Sequence, residues 1–498
     1  MEVERSENGD TDKLWAVVAA ANETWQRTRD LPSLEQLIQA FRRYIGSLPM
    51  SEAAHGQAVS DLYELLGHRW AMTSDELDFE KAVDDLVTML ESFDPDDWRV
   101  PLYVLALGRL WYVRALTSEL LDEIDQAAAV LEDARNRVRP TSGIMGTASR
   151  LLAELRLRRY WATRNRQDLE DAFNDIVKTL GAPGSTDIDQ LLATKDMTNV
   201  ANWLFEETHD VEYTELALEA ASHILDDPRA VAFTAEVLSA AALALRSRGE
   251  ATDNVEDLNA STDAYAECVD LAGDDIDMLA PALDNLSNGL SARYRLTRDR
   301  ADIDASVATG RQVLELFDES DPRRGRAAAN LGFGLIVLAQ QTGDEAHLVE
   351  ALAVSERDSA GNDAADGPDV PLRLARARAD ALLLRFGRNG ELGDLDAAIA
   401  ELEDALETAL RGEDVLPLRH RLDRRSQSRV LSERLVGALV MRSDRRVDGA
   451  ASDLLRAFAV AETGKSSILN KHLLLSSVEP TAVVPSTLST WEQQLLAR

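Results

Sequence analysis

The chain has 498 residues, 45% of them hydrophobic, which excludes an intrinsically disordered protein. Its formal net charge is −35, a balance that disfavours non-specific binding to nucleic acid. Aromatics make up only 5% while Ala and Leu dominate, so helix formers outweigh strand formers and an all-α fold is expected.

Only six of the 53 basic residues are Lys, and an acidic, Lys-poor, Arg-rich chain fits a high-GC actinobacterium or a salt-loving microbe. Cys268 is the single cysteine, so no intrachain disulfide forms, in keeping with a reducing cytosol. The first residues are acidic and lack a basic-then-apolar leader. Contiguous apolar runs such as Pro101–Leu107 fall short of the ~20 residues that span a bilayer, so a cytoplasmic protein without membrane contact is expected.

Residues 1–10 are polar and are expected to be disordered. From 11 to 415 the chain repeats. Segments of the form acidic–apolar–x–x–small start at Leu34, Phe79, Ile124, Leu169, Tyr213, Leu258, Ile303, Leu348 and Leu395, in steps of about 45. About six residues earlier stands a hydroxyl residue: Thr28, Thr73, Ser118, Thr163, Thr208, Thr252, Thr297 and Thr342. Prolines recur in the same register (Pro49, Pro95, Pro140, Pro183, Pro228, Pro281, Pro322, Pro368, Pro417). Each unit resolves into helix A, a polar Thr-centred turn, helix B, and a Pro- and Asp-rich link to the next A. Ile303, Val307, Gly310, Leu314 and Phe317 mark one face of a helix B, and residues 327–341 form a largely apolar helix A. Neither helix can bury its apolar face alone, so neighbours must stack. The expected architecture is a right-handed α-solenoid of about ten helix-turn-helix repeats. Residues 416–475 are read as an irregular last repeat with a closing helix, its start delayed to near Asp448. Residues 476–498 are read as a tail or linker.

Charge is unevenly placed along this array. Residues 135–166 carry nine Arg and one acid, with Tyr160 and Trp161 among them, and residues 415–446 carry nine Arg and three acids. Arg156, Arg159, Trp161, Arg164 and Arg166 are therefore candidates for a patch that docks an acidic partner or nucleic acid; the alternative is that these arginines pair with acids of neighbouring repeats. Cys268 lies in a segment, 250–277, with ten acids and no base, which opposes a thiolate and suits a small core residue. Asn285, Asn288 and Asn330 fall on helix A, where an amide can donate to and accept from a peptide backbone or join repeats to each other. Arg293 or Arg295 could add charge for a carboxylate. Gly332-Phe333-Gly334 lacks the third glycine of a dinucleotide loop. Gly464-Lys465-Ser466 lacks the first glycine of a phosphate-binding loop, Ala459 standing in its place, and follows a helical rather than a strand pattern. The seven histidines are scattered and the acidic runs lack calcium-loop spacing. No catalytic, cofactor or metal site is expected.

Asn330-Leu331-Gly332, Asn285-Leu286-Ser287-Asn288 and the Asp394-Leu395-Asp396-Ala397-Ala398-Ile399 helix start resemble tetratricopeptide (TPR) repeats. The longer period, Gly343-Asp344 and Asp394–Ala398 resemble the arrays found upstream of bacterial CHAT, caspase-like, protease domains. Ala461-Glu462-Thr463-Gly464-Lys465-Ser466-Ser467-Ile468-Leu469 resembles the helix closing such arrays, with Ser467 where the family has Arg. The resemblance implies a non-catalytic scaffold or sensor arm that binds a protein or peptide, with Asn285, Asn288 and Asn330 facing the groove. Two alternatives stay open: a subunit or fragment of a protease whose catalytic domain lies beyond Arg498, and a binder of nucleic acid or an acidic partner through the Arg-rich helices.

Overall fold

The computed structural model describes residues 2–49, 53–118, 120–139, 142–318, 321, 323–359, 370–410, 418–446 and 449–462. Among them there is no strand. Contacts divide the chain into two compact units, Met1–Thr252 and Asp253–Arg498. In the first, A and B helices alternate as α1 (Glu2–Thr28), α2 (Leu31–Ser47), α3 (Ala53–Thr73), α4 (Glu76–Glu91), α5 (Val100–Ser118), α6 (Leu121–Asn136), α7 (Gly143–Thr163), α8 (Arg166–Gly181), α9 (Asp187–Thr208), α10 (Glu212–Leu225) and α11 (Thr234–Thr252). In the second they continue as α12 (Val255–Ala272), α13 (Ile276–Thr297), α14 (Arg300–Glu315), α15 (Arg324–Thr342), α16 (Glu345–Ser359), α17 (Val370–Asn389), α18 (Leu392–Leu410), α19 (Leu418–Arg445) and α20 (residues 450–462). Within each unit a helix packs on its chain neighbours, so the array is an α-solenoid. α1 takes in residues 2–10, which their polar composition sets outside the array.

The Thr-centred turn is built alike in five repeats. Its first part is a helix-ending hydroxyl: Thr73, Thr163, Thr208, Thr297 and Thr342 each donate to the carbonyl four residues back and accept from the N–H two residues on. The residue between is left-handed, at Ser74, Arg164, His209, Arg298 and Gly343. The next, at Asp75, Asn165 and Asp299, caps helix B with its side chain. The unit boundary falls on such a turn, Thr252 followed by left-handed Asp253 and the cap Asn254, so local chemistry gives no sign of it.

The 45-residue marker is the buried seam of each helix B. Leu34, Phe79, Ile124, Leu169, Leu258, Ile303, Leu348 and Leu395 are all buried. In α10 the marker slips by one residue. Thr214 and Ala217 occupy the buried positions, while Tyr213 is half-buried and Leu216 is 37% exposed. The bulky apolar side chains fit the sequence pattern, but the helical register selects the small ones. Pro281 departs from the link position and lies inside α13. Pro140, Pro322, Pro368 and Pro417 lie outside the described residues, as do residues 463–498 with Gly464-Lys465-Ser466 and most of the closing-helix motif.

One stretch, Pro228–Thr252, is long and apolar enough by length and composition to cross a membrane. Its apolarity comes from alanines spread among polar residues rather than from a contiguous run. Here Val237, Ala240, Ala241, Ala242 and Ala244 are buried where α11 packs on α9 and α10.

A fourth periodic feature joins the repeats. An Arg four residues before the turn pairs with an acid at the start of helix B nine residues later: Arg69–Asp78, Arg114–Glu123, Arg159–Asp168, Arg293–Asp302 and Arg385–Asp394. The same guanidinium often reaches back to the previous helix B, as Arg69 to Glu35, Arg114 to Glu76, Arg159 to Asp125, and Arg293 to Asn259 and Thr262. Its planar fork, with five donors, suits one group to three helices. In three repeats the pair is replaced, by Thr24/Ser33, Leu204/Tyr213 and Leu338/His347.

Candidate functional site

In the second unit, positions spaced three to four residues apart on successive A helices form one stripe. On α13 the stripe carries Pro281, Asp284, Asn285, Asn288 and Arg295; on α15, Arg326, Asn330 and Phe333; on α17, Arg373, Arg376 and Asp380. α15 and α17 pack directly against each other. Two polar ladders cross these helices. Asn330 Nδ2 donates to Asp284 Oδ1 at 2.6 Å, and Arg373 Nη2 donates to Asn330 Oδ1 at 2.6 Å. Arg376 lies 4.9 Å over the Phe333 ring and 3.8 Å from Asp380, which Arg434 of α19 also reaches at 3.1 Å. Burial pushes the Asp380 carboxyl above its ordinary range, against the pull of Arg434 and Arg376. The stripe thus holds four arginines (295, 326, 373, 376), with Arg434 of α19 beside it, against two aspartates, within a chain of net charge −35.

A cavity of about 240 Å³ opens at one end of the row, lined by Ala280, Pro281, Asp284, Asn285, Val313, Phe317, Arg323, Arg326 and Ala327. Arg323 is engaged by Asp321 and Asp277 and lies 4.7 Å over Phe317. Arg326 is exposed and has no ion-pair partner among the described residues.

The sequence candidates separate on this geometry. Asn285, Asn288 and Asn330 share the row, with Asn330 committed to the Asp284–Arg373 ladder. Asn285 lines the cavity, and Asn288 is half-buried. Arg295 is exposed at the row's far end. Arg293 turns away: its guanidinium is taken by Asp302 at 2.6 Å and by Asn259 and Thr262. Arg326, Phe333, Arg373, Arg376 and Asp380 do not stand out in the sequence. Counting back in helical steps from Thr342, and from Asn389 where the turn residue is no longer Thr, is the signal that finds them.

Arginines of the first unit's Arg-rich stretch pair with acids or stack on rings of the array itself, several of them joining helices. Arg156 bonds Asp175 and lies 2.6 Å from Glu132, and Arg135 reaches the fully buried Asp175 at 2.7 Å. Arg150 pairs with Asp189 at 2.8 Å, Arg159 with Asp125 at 3.0 Å, and Arg166 with Glu170 at 2.7 Å. Arg164, left-handed in its turn, lies 4.4 Å over Trp161, which meets Trp203 edge-on at 4.9 Å. Within 415–446, the described Arg434 and Arg442 are likewise paired, with Asp380 and with Asp396 and Asp453. Cys268 is buried in α12, and burial with Glu267 nearby pushes its thiol up to about 11.

No family model matches the chain, and no curated protein matches it. Among solved structures, apo RapI is 11% identical, with 79% of this chain and 99% of that one covered at a TM-score of 0.45. A Rap protein complexed with competence and sporulation factor is also 11% identical, covering 82% and 99% at 0.34. Yeast Tom70 is 12% identical, covering 94% and 98% at 0.20. These scores are too low to carry an argument about function. The chain's own paired helices and buried 45-residue seam make it an α-solenoid of helix-turn-helix repeats.

Proposed function

We propose that the chain is a non-catalytic protein-binding scaffold whose second-unit A-helix row holds an extended, acidic polypeptide segment. One observation supports this reading: four arginines, three asparagine amides and Phe333 share one stripe of a chain that is otherwise strongly acidic. Asn288 and Arg326 supply contacts that the fold does not already use. Asn330 and Arg373 hold neighbouring helices in place beneath them. Peptide display against the immobilised full chain tests it. Acidic sequences should be enriched, and Asn288→Ala with Arg326→Ala should each weaken a selected peptide about five- to thirty-fold, as for a genuine contact residue. Asn330→Ala should also cost stability, because Asp284 and Arg373 lose a partner. Enrichment without acidic bias, or indifference to both Asn288→Ala and Arg326→Ala, refutes the reading.

The finer assignment, a regulatory arm of a CHAT protease system, rests on Gly343-Asp344 and Asp394–Ala398. Gly343 is the left-handed turn residue, Asp344 accepts from the Ala346 N–H, and Asp394 pairs with Arg385. These residues serve the repeat itself, so they support the fold equally with or without a protease. Co-purification of a caspase-like protein from the native host, lost on Arg326→Glu, is the result this assignment requires.

A further inference from the structure

In the first unit α5 packs directly on α7, and α9 on α11, while α1 meets α3 through the Trp25 and His68 rings, 6.3 Å apart. A cavity of about 600 Å³ lies there, its lining including Trp15, Trp25, Glu23, Asp61, Glu64 and His68. Trp15 is 50% exposed and meets Tyr44 at 5.1 Å, so an indole stands in the wall with much of its surface in solvent. Trp25 is buried behind it.

The charges of the wall are unequal. Glu23, Asp61 and Glu64 meet two cations, Arg109 and Arg29, the second of which already lies 5.2 Å over Trp25 and donates to Gln26. Arg109 of α5 donates to Asp61 at 2.5 Å and lies 3.1 Å from Glu64. It fixes both carboxylates with one guanidinium and leaves them further lone pairs, since each carboxylate can accept about four hydrogen bonds. Burial holds His68 below its ordinary range, so the imidazole adds no charge at neutral pH.

We propose that this cavity receives an arginine side chain from a partner polypeptide, its guanidinium stacked on the Trp15 indole and bonded to the carboxylates of Glu23 and Glu64. A guanidinium is planar and weakly hydrated, so it lies on an aromatic face and forks to carboxylates at once more readily than a compact, strongly hydrated ammonium. The site belongs to the first unit alone and does not rest on the acidic-segment row of the second.

Calorimetric titration of the full chain with the peptide acetyl-Gly-Ser-Arg-Ser-Gly-amide at low salt tests this, with lysine and citrulline counterparts and free arginine methylamide as further arms. Saturable binding of the arginine peptide is expected, with no binding of the uncharged citrulline peptide and weaker binding of the lysine peptide. Trp15→Ala should weaken it about three- to thirty-fold, the span of cation–π and partly desolvated contacts. Glu23→Gln, at an exposed position, should weaken it with unchanged thermal unfolding. Equal binding of arginine and citrulline peptides, indifference to both substitutions, or heats that do not saturate at millimolar peptide overturn the proposal. Free arginine methylamide binding as tightly as the peptide overturns the assignment to a polypeptide.

Discussion

Replacing Arg293 with Met keeps the aliphatic stem and removes the guanidinium that joins three helices. The structure sets the scale of the loss. Arg293 donates to Asp302 at 3.0 and 2.6 Å, to Asn259 at 3.2 Å and to Thr262 at 2.9 Å. The Asp302 side chain is only 7% exposed, so the substitution strands a carboxylate that water reaches poorly; the Arg293 side chain is 23% exposed. Breaking a buried pair costs about 3–5 kcal/mol, and the partial exposure of Arg293 brings the expectation down to about 2–3 kcal/mol. In a repeat array the loss should be local, since each repeat touches only its neighbours. Native-state hydrogen exchange should therefore show α13 and α14 losing about 2 kcal/mol of protection, roughly a thirty-fold faster exchange, while α5 is unmoved. The double change Arg293→Met with Asp302→Asn should recover part of the loss. A single-variant cost under about 0.5 kcal/mol, or full additivity of the two changes, refutes the reasoning.

Other outcomes follow from the same structure. A Cβ on Gly67 would stand 2.9 Å from the branched Val113 Cβ, whereas Gly437 in α19 has nothing within 4 Å. Gly67→Ala should then cost about 1–3 kcal/mol in urea unfolding and Gly437→Ala should add up to about 1 kcal/mol. Cys268, with its thiol pushed up to about 11, should resist a thiol reagent at pH 8 in the folded chain and react at once in denaturant. Burial raises the Asp189 carboxyl, but hydrogen bonds from Thr147, Arg150 and Thr186 outweigh it and hold the group below its ordinary range. Such a group stabilises the fold above its unfolded pKa and loses that contribution as pH falls through the depressed value. Asp189→Asn should therefore be less stable than the parent at pH 7, with the gap in unfolding free energy closing as pH drops below about 4.

The fold is legible because three markers share one register, and each has a physical counterpart: the Thr turn, the buried seam of helix B and the proline-bearing link. Where the sequence misleads, a local rule falls on the wrong side chain. Tyr213 has the look of the seam, yet Thr214 and Ala217 fill it. Pro281 has the look of a link, yet it is tolerated within α13. The Arg–acid pairs nine residues apart are present in the sequence, but each looks like surface charge until the two helices are folded together. Whether an arginine faces a ligand or a neighbouring acid depends on which helix face it occupies. That decides Arg293 and Arg156 for the fold, and Arg326 for the row.

The central claim, that a polypeptide lies along the A-helix row of the second unit, is tested most directly by photocrosslinking. A benzophenone amino acid at position 288 or 326 of the full chain, with an acidic peptide taken from display, should give crosslinks to that peptide. The same probe at Gln312, exposed on helix B, should give none. Crosslinks from position 312 with none from 288 or 326 would contradict the claim and place the binding surface on the B helices.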